Sequence, residues 1–508
     1  MSADWSLEDV DLVRLDILAS RLAILLKAGD VVSLSGPLGA GKTTFARALV
    51  ARLDGESEVP SPTFALMQRY ETGRLVLTHC DFYRLEPGEI DELGLDDALA
   101  EGAVLIEWPE CAETWLPADR LDIAIDETAE PHLRRLVLSG HGSWVKRLER
   151  LAALTGFLDE TPYTDAPTRY LLGDASTRSY ARLVLSGRSA ILMNAPRQPD
   201  GAPIRGGKPY SALVHLAEDM TPFVAVAGAL RERSLSAPAI YAFDLDRGFL
   251  VLEDLGDRVF GSEVAKGRPL AELWGPAVDV LLALAEAPPP ALLPVEGHAP
   301  YRLQAYDADA MLVEVSLLID WLWPALHGEP TPDALREEYL SLWHRLLKGV
   351  AEQDLGWVLR DYHSPNLIWL PEREGVRRVG LLDFQDALRG PLAYDLVSLL
   401  QDARLDVPEA LEAELLARYC SARGAHSQHF SGDQFRTLYA TLGAQRNSKI
   451  LGIFARLAKR DGKRGYLAHI PRVARYLERD LAHPALADLR RFYARELPPA
   501  ADLPPLPL

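Results

Sequence analysis

Eight residues, Gly36-Pro37-Leu38-Gly39-Ala40-Gly41-Lys42-Thr43, restrict this chain to few folds. They follow an apolar run, Val31-Val32-Ser33-Leu34-Ser35, that reads as a buried strand, and they precede a helical pattern from Thr44 to Leu53. A strand, a G-x-x-x-x-G-K-T turn and a helix together form a cradle in which backbone N–H groups wrap a polyphosphate. The glycines allow the close approach, the Lys42 amine reaches the outer phosphates, and the Thr43 hydroxyl binds Mg²⁺. Gly36, Gly39, Ala40, Gly41, Lys42, Thr43 and Thr44 are therefore the expected nucleotide-binding residues.

Two later stretches suit the same site. Val104-Leu105-Ile106-Glu107-Trp108-Pro109-Glu110 is an apolar strand ending in an acid, placed to complete a Mg²⁺ shell. His79-Cys80-Asp81-Phe82-Tyr83-Arg84-Leu85 follows the strand Leu75 to Thr78, and Asp81 is placed to orient or activate an attacking water. Ser61-Pro62-Thr63-Phe64 stands where a loop sensing the γ-phosphate through Thr63 would lie, although a plain proline turn fits it equally. With Glu92-Leu93-Gly94-Leu95, these motifs closely resemble the small ATPase of bacterial tRNA threonylcarbamoyladenosine biosynthesis, the TsaE family, over residues 10–140. The resemblance implies a P-loop fold and ATP hydrolysis serving the carbamoyl-transfer protein and its inactive paralogue. It makes Glu107 a metal ligand beside Thr43, makes Asp81 necessary for turnover, and sets Trp108 beside the site. It also brings an arginine of His132-Leu133-Arg134-Arg135-Leu136 to the nucleotide, Arg134 or equally Arg135.

Val145 to Leu154 reads as a short charged helix, and residues 158–168 lack periodicity. The expected organisation is a P-loop domain over 1–145, a linker over 146–168, and a second domain beginning at 169. No repeat relates the halves, so a fusion of two enzymes is expected rather than a duplication.

The second half is organised around Val358-Leu359-Arg360-Asp361-Tyr362-His363-Ser364-Pro365-Asn366 and Leu381-Leu382-Asp383-Phe384-Gln385-Asp386. Asp361 and Asn366 have the D-x-x-x-x-N spacing of a kinase catalytic loop, and Asp383 follows on the next apolar strand. Phosphoryl transfer needs one carboxylate to take the acceptor's proton. It also needs an amide oxygen and a second carboxylate to hold Mg²⁺ against the transferring charge. Asp361 is thus the expected base, and Asn366 and Asp383 the expected metal ligands. Asp395, at the start of the next helix, would anchor the loop. Upstream, Arg169 to Tyr180, with Ser176 and Arg178, precedes the strand Ala181 to Leu185, which with Ala190 to Met193 forms a hairpin whose small polar tip suits closing over phosphates. Phe249-Leu250-Val251-Leu252-Glu253-Asp254-Leu255-Gly256 is the strand whose Glu253 and Leu255 backbone would pair with adenine.

This half resembles the aminoglycoside phosphotransferase family. The nearest branch is the anomeric kinase of N-acetylmuramate and N-acetylglucosamine in cell-wall recycling. The distinctive match is Gly443-Ala444-Gln445-Arg446-Asn447-Ser448-Lys449-Ile450-Leu451-Gly452, continuing through Arg472. The resemblance implies an α/β chain with a P-loop NTPase domain and a bilobal, protein-kinase-like domain. The lobes would be 169–257 and a mostly helical 258–496, followed by a Pro-rich, disordered tail, 497–508. It implies transfer of the ATP γ-phosphate to the anomeric hydroxyl of an amino sugar. Two departures stand out. Leu359 replaces the usual histidine before Arg360, and Ile191-Leu192-Met193-Asn194 has no lysine to pair with phosphate, a charge that Arg178 or Arg182 would supply. The basic run Arg446 to Lys463 would reach an acidic sugar or else form a solvated helix face.

Asp307, Asp309 and Glu314 keep open an acidic pocket for an aminoglycoside or choline-like acceptor, and the missing lysine keeps open a non-catalytic, ATP-sensing docking module. The net charge of −19 disfavours a direct grip on nucleic acid, so a role touching RNA would run through a protein partner; the TsaE-family resemblance makes the tRNA-modification proteins the expected partners. Three separated cysteines suit a reducing cytoplasm. Met1-Ser2-Ala3-Asp4-Trp5 does not open like a signal peptide, and no membrane span is expected.

Overall fold

The computed structural model describes residues 2–54, 66–85, 90–171, 178–197, 201–502 and 506. Thr63 and the rest of 61–64 lie outside them, as does Ser176. The chain divides into two compact units, Met1–Arg197 with Ile240–Asp254, and Gln198–Ala239 with Leu255–Leu508.

In the first unit the described strands and helices run β1 (Ser2–Val10), α1 (Leu12–Leu25), β2 (Val31–Ser35), α2 (Lys42–Asp54), β3 (Met67–Glu71), β4 (Val76–Asp81), α3 (Leu95–Glu101), β5 (Gly102–Glu107), β6 (Leu121–Glu127), β7 (Arg134–His141) and α4 (Trp144–Asp159). Seven strands form one sheet in the order β1-β7-β6-β2-β5-β4-β3. The central four, β6, β2, β5 and β4, are parallel. Strand β5 is buried along its whole length, which is why it reads as a continuous apolar run rather than an alternating one. Asp11 caps α1, its carboxylate accepting from the Arg14 N–H at 2.8 Å. Gly102 is fixed by packing, because a Cβ there would lie 2.0 Å from the Val76 carbonyl oxygen.

The segment read as a join folds as α4, four turns long. Leu148 and Leu151 lie in the core of the large sheet. Leu154, Phe157 and Leu158 lie in a second core with Leu183, Leu192 and Phe249. That second core belongs to a five-stranded antiparallel sheet of β8 (Thr168–Leu171), β9 (Ser179–Leu185), β10 (Arg188–Asn194) and the strands Ile240–Asp244 and Phe249–Glu253. Polar ties reinforce the apolar ones: Arg147 Nη1 donates to Asp30 Oδ1 at 2.6 Å, and Arg150 Nε to Asn194 Oδ1 at 2.8 Å.

The second unit is mostly helical. Its axis is the helix Gly432–Asp461, thirty residues long and buried almost continuously from Leu438 to Gly452. Gly443 and Gly452 admit close neighbours, since a Cβ at the latter would lie 2.3 Å from the Leu317 carbonyl carbon. The polar residues of the distinctive sequence match are interior bonds. Gln445 Nε2 donates to Glu314 at 3.0 Å, Asn447 Nδ2 to Gln401 Oε1 at 2.6 Å, and Ser448 bonds the Tyr493 hydroxyl at 2.6 Å. The expectation of a solvated face therefore fails for Arg446 to Gly452.

One stretch, Ala308–His327, has the length and composition of a membrane span, with mean hydropathy 1.3, against expectation. Two thirds of that window is buried inside the protein, and it carries the ion-paired Glu314. Burial on several sides accounts for its apolar composition. The disordered tail is corrected at Ala500–Asp502, a 3₁₀ turn whose Ala500 N–H donates to Glu478 at 2.6 Å.

Candidate active sites

In the first unit, β2 runs into Gly36, whose φ of +135° and absent side chain are both required. A Cβ would meet the Ile125 carbonyl oxygen at 2.2 Å. The chain then turns through Gly39 and Gly41, also at positive φ, into α2. Lys42 folds over this turn, its Nζ donating to the carbonyls of Gly36 at 2.7 Å and Pro37 at 2.9 Å. Below it lies Trp108, 3.6 Å from Nζ to the ring centroid, in a left-handed turn with φ of 60°. Burial lowers the Lys42 pKa, while Glu107, Glu110 and Asp81 oppose that.

The parallel register sets Glu107 beside Leu34 on one neighbour and Asp81 on the other. Glu107 Oε2 accepts from the Thr43 hydroxyl at 2.8 Å, and Oε1 is 2.9 Å from His79 Nε2. Sequence reading gave His79 no role. It is fully buried and orients the carboxylate, which only the β4–β5 register reveals. Asp81, 6% exposed, accepts from the Tyr83 N–H at 3.1 Å. Of the two candidate arginines, Arg134 donates from Nε to the Ala40 carbonyl at 2.9 Å, bracing the turn, whereas Arg135 pairs with Glu8 at 2.8 Å. Thr44 is exposed on the first turn of α2.

In the second unit, the strand Leu355–Val358 delivers Arg360, at φ 74°, and Asp361. Asp395 holds this bend through the N–H groups of Leu359 and Arg360, at 2.5 and 2.9 Å. The antiparallel strands Leu367–Trp369 and Val379–Leu381 bring the next two groups together. Asn366 Nδ2 donates to the Asp361 carbonyl, and the Leu382 N–H to the Asn366 carbonyl, each at 2.9 Å. Asp383, at φ 57°, accepts from Gln385 Nε2 at 3.0 Å. Asp386 lies close enough that burial first, then Asp361 and Asp383, raise its pKa.

Beneath the loop is a buried charge cluster. Glu314 meets Arg360, Lys449 Nζ at 2.8 Å and the Tyr306 hydroxyl. Burial alone would raise its pKa, but Lys449 and Arg360 bring it down to about 2. Asp307 caps the next helix by accepting from the Ala310 N–H at 2.8 Å. The acidic pocket proposed for a polycationic acceptor therefore loses Glu314, which is wholly buried and neutralised, and Asp307 has a structural task. Replacing Glu314 by Gln leaves two buried cations without a counter-charge. It is expected to cost about 3–5 kcal/mol of stability at neutral pH. Because the folded pKa lies below the ordinary value, wild-type stability from this group is full above about pH 4.5. It is lost as pH falls towards 2. Denaturant titrations of both proteins across that range check the expectation, with the difference narrowing in acid.

Of the remaining predicted residues, Arg182 is bound to Asp254, Nε to Oδ2 at 2.6 Å, and Ile191 is its cross-strand neighbour. Arg178 lies just before β9 and also has a partner. Glu253 ends its strand opposite Ala190. Leu255 packs on Ile368 and Leu370 of the catalytic hairpin.

A polyphosphate cradle on a parallel sheet, and an Asp-x₄-Asn loop joined to a hairpin carrying a second Asp, define two classes in one chain, a P-loop nucleotide-binding domain and a kinase-type phosphotransferase. Comparison with known proteins makes both assignments specific. Residues 11–136 match the family model "Threonylcarbamoyl adenosine biosynthesis protein TsaE", and residues 167–430 match "Phosphotransferase enzyme family". The chain is 40% identical over 360 residues to an N-acetylmuramate/N-acetylglucosamine kinase of Caulobacter vibrioides, covering 69% of this chain and 97% of the relative. It is 35% identical to the Pseudomonas aeruginosa kinase of the same name, over 65% of this chain and 88% of that one. Its first part is 43% identical to the tRNA threonylcarbamoyladenosine biosynthesis protein TsaE of Rickettsia bellii, covering 21% of this chain and 74% of the relative. The chain belongs to the phosphotransferase enzyme family and carries a TsaE-family domain at its N-terminal end.

Proposed function

We propose that this chain is a bifunctional, ATP-dependent enzyme. Its second domain transfers the ATP γ-phosphate to the anomeric hydroxyl of N-acetylmuramate or N-acetylglucosamine, in cell-wall recycling. Its first is an ATPase supporting threonylcarbamoyladenosine modification of tRNA, working in the cytoplasm with the carbamoyl-transfer proteins. The observation that supports the kinase reading most strongly is the hydrogen-bonded assembly of Asp361, Asn366 and the strand end before Asp383.

In this reading Asp361 accepts the proton of the anomeric hydroxyl as its oxygen attacks the γ-phosphorus. Asp395 and Arg360 hold the loop so that Asp361 does not swing away. Oxygen donors suited to Mg²⁺ stand at both sites, Asn366 with Asp383 in one, and Thr43 with Glu107 in the other. When bound, Mg²⁺ neutralises charge on the phosphates. In the first domain, the backbone turn and Lys42 bind the phosphates, His79 orients Glu107, and Asp81 positions the attacking water.

A panel of N-acetylmuramate, N-acetylglucosamine, an aminoglycoside and choline, assayed by ADP release, tests the kinase reading. The two amino sugars are expected to give turnover at least tenfold above the others. Equal or greater turnover on the cationic acceptors would overturn it.

A further inference from the structure

The inserted stretch Gln198–Ala239 belongs to the second unit. Its helix Tyr210–Leu213 leads into a segment fixed to the catalytic loop at two points. The Val214 carbonyl accepts from Arg360 Nη1 at 2.7 Å, and the Ala217 N–H donates to Asp386 Oδ1 at 2.6 Å. His215 lies between them in a left-handed conformation, φ 56°. Tyr210 sits within electrostatic reach of Glu314, Lys449, Arg360 and Arg456, and burial pushes its hydroxyl up to about 12.

Facing this segment is the helix Gly432–Asp461, on which Arg446, Lys449 and Arg456 fall within about 80° of arc at 100° per residue. Their circumstances differ. Lys449 is paired with Glu314. Arg446 is 4% exposed and lies in the interior by His363 and Asp395, its Nη1 enclosed without a partner. Arg456 is half-buried, and its guanidinium lies 5.1 Å from the Tyr210 ring centroid. Among the described residues it makes no hydrogen bond or ion pair, and its Nε is enclosed without a partner. The neighbouring acid, Asp461, is paired with Arg460 at 2.7 Å. A guanidinium set over an aromatic ring, partly desolvated and without a paired carboxylate is prepared for a planar anion.

We propose that Arg456, set against Tyr210, binds a carboxylate on the acceptor sugar and so favours N-acetylmuramate, which carries a lactyl carboxylate, over N-acetylglucosamine, which has none. The assignment rests on the amino-sugar kinase reading. Arg456 is a specificity residue at the far edge of the acceptor site. Of the cations nearer the catalytic loop, Arg360 and Lys449 are held by Glu314, and Arg446 is enclosed in the interior at 4% exposure.

Steady-state kinetics of the full chain on both sugars test it. R456A is expected to lower kcat/KM for N-acetylmuramate at least tenfold more than for N-acetylglucosamine, chiefly through KM, and R456K to recover part of the loss. Independently of folding in any variant, the wild type is expected to show a KM at least tenfold higher for the neutral lactyl amide of N-acetylmuramate than for the acid. Equal losses on both sugars, an unchanged R456A, or equal KM for amide and acid would overturn the assignment. Failure of the wild type to phosphorylate either sugar would instead overturn the kinase reading, and the assignment with it.

Discussion

Asp361→Asn is expected to lower kcat for amino-sugar phosphorylation by about 10²–10⁴-fold, the range for loss of a positioned general base. The change is nearly isosteric, and the contacts that shape the loop do not use the Asp361 side chain. Asn366 bonds the Asp361 backbone carbonyl, and Asp395 holds the N–H groups of Leu359 and Arg360. Stability is therefore expected to stay within about 0.5 kcal/mol of wild type. The loss should appear in kcat, with the KM for ATP little changed, because the carboxylate acts on the acceptor's proton rather than on the nucleotide. Initial rates and a melting curve on the same preparation check both halves. A variant within tenfold of wild type, properly folded, would remove Asp361 from the role of base.

Lys42→Ala is expected to weaken nucleotide binding at the first site by about 10–100-fold, the loss of charge-assisted bonds to phosphate oxygens. The Nζ reaches two carbonyls of the turn at 2.7 and 2.9 Å and lies over Trp108, so the amine is already held over the turn. Its removal leaves the glycine turn and the Thr43–Glu107 bond in place. The effect is read as energy transfer from Trp108 to a fluorescent ATP analogue. Amino-sugar phosphorylation by the same variant is expected to hold within about twofold, because Asp361, Asn366 and Asp383 belong to the other unit. Unchanged binding would deny Lys42 its phosphate contact.

Local chemistry makes the strand–loop–helix cradle and the Asp361–Asn366 loop legible in the order of the amino acids. Val31 to Ser35 is a strand with the bounds expected, and Asp395 anchors the loop as expected. These features depend on sequence neighbours, so spacing alone encodes them. Features set by tertiary pairing are hidden from such a reading. His79 gains its role from the register of two parallel strands whose residues lie far apart in sequence. Glu314 looks available to a cationic substrate in the sequence because its two counter-ions come from the catalytic loop and the long helix. The polar run Gln445 to Lys449 has no helical periodicity, because a helix enclosed on nearly all sides carries its hydrogen-bonding groups inward. Residues 146–168 read as a linker for the converse reason, since α4 fills most of that stretch and divides its apolar side chains between two cores.

The number of non-hydrolysable ATP analogues bound per chain with Mg²⁺, counted by equilibrium dialysis at saturation, tests most directly the claim that one polypeptide holds two independent triphosphate sites. Two are expected for the wild type and for Asp361→Asn, and one tight site for Lys42→Ala. A single site in the wild type, or the loss of both in Lys42→Ala, would contradict it.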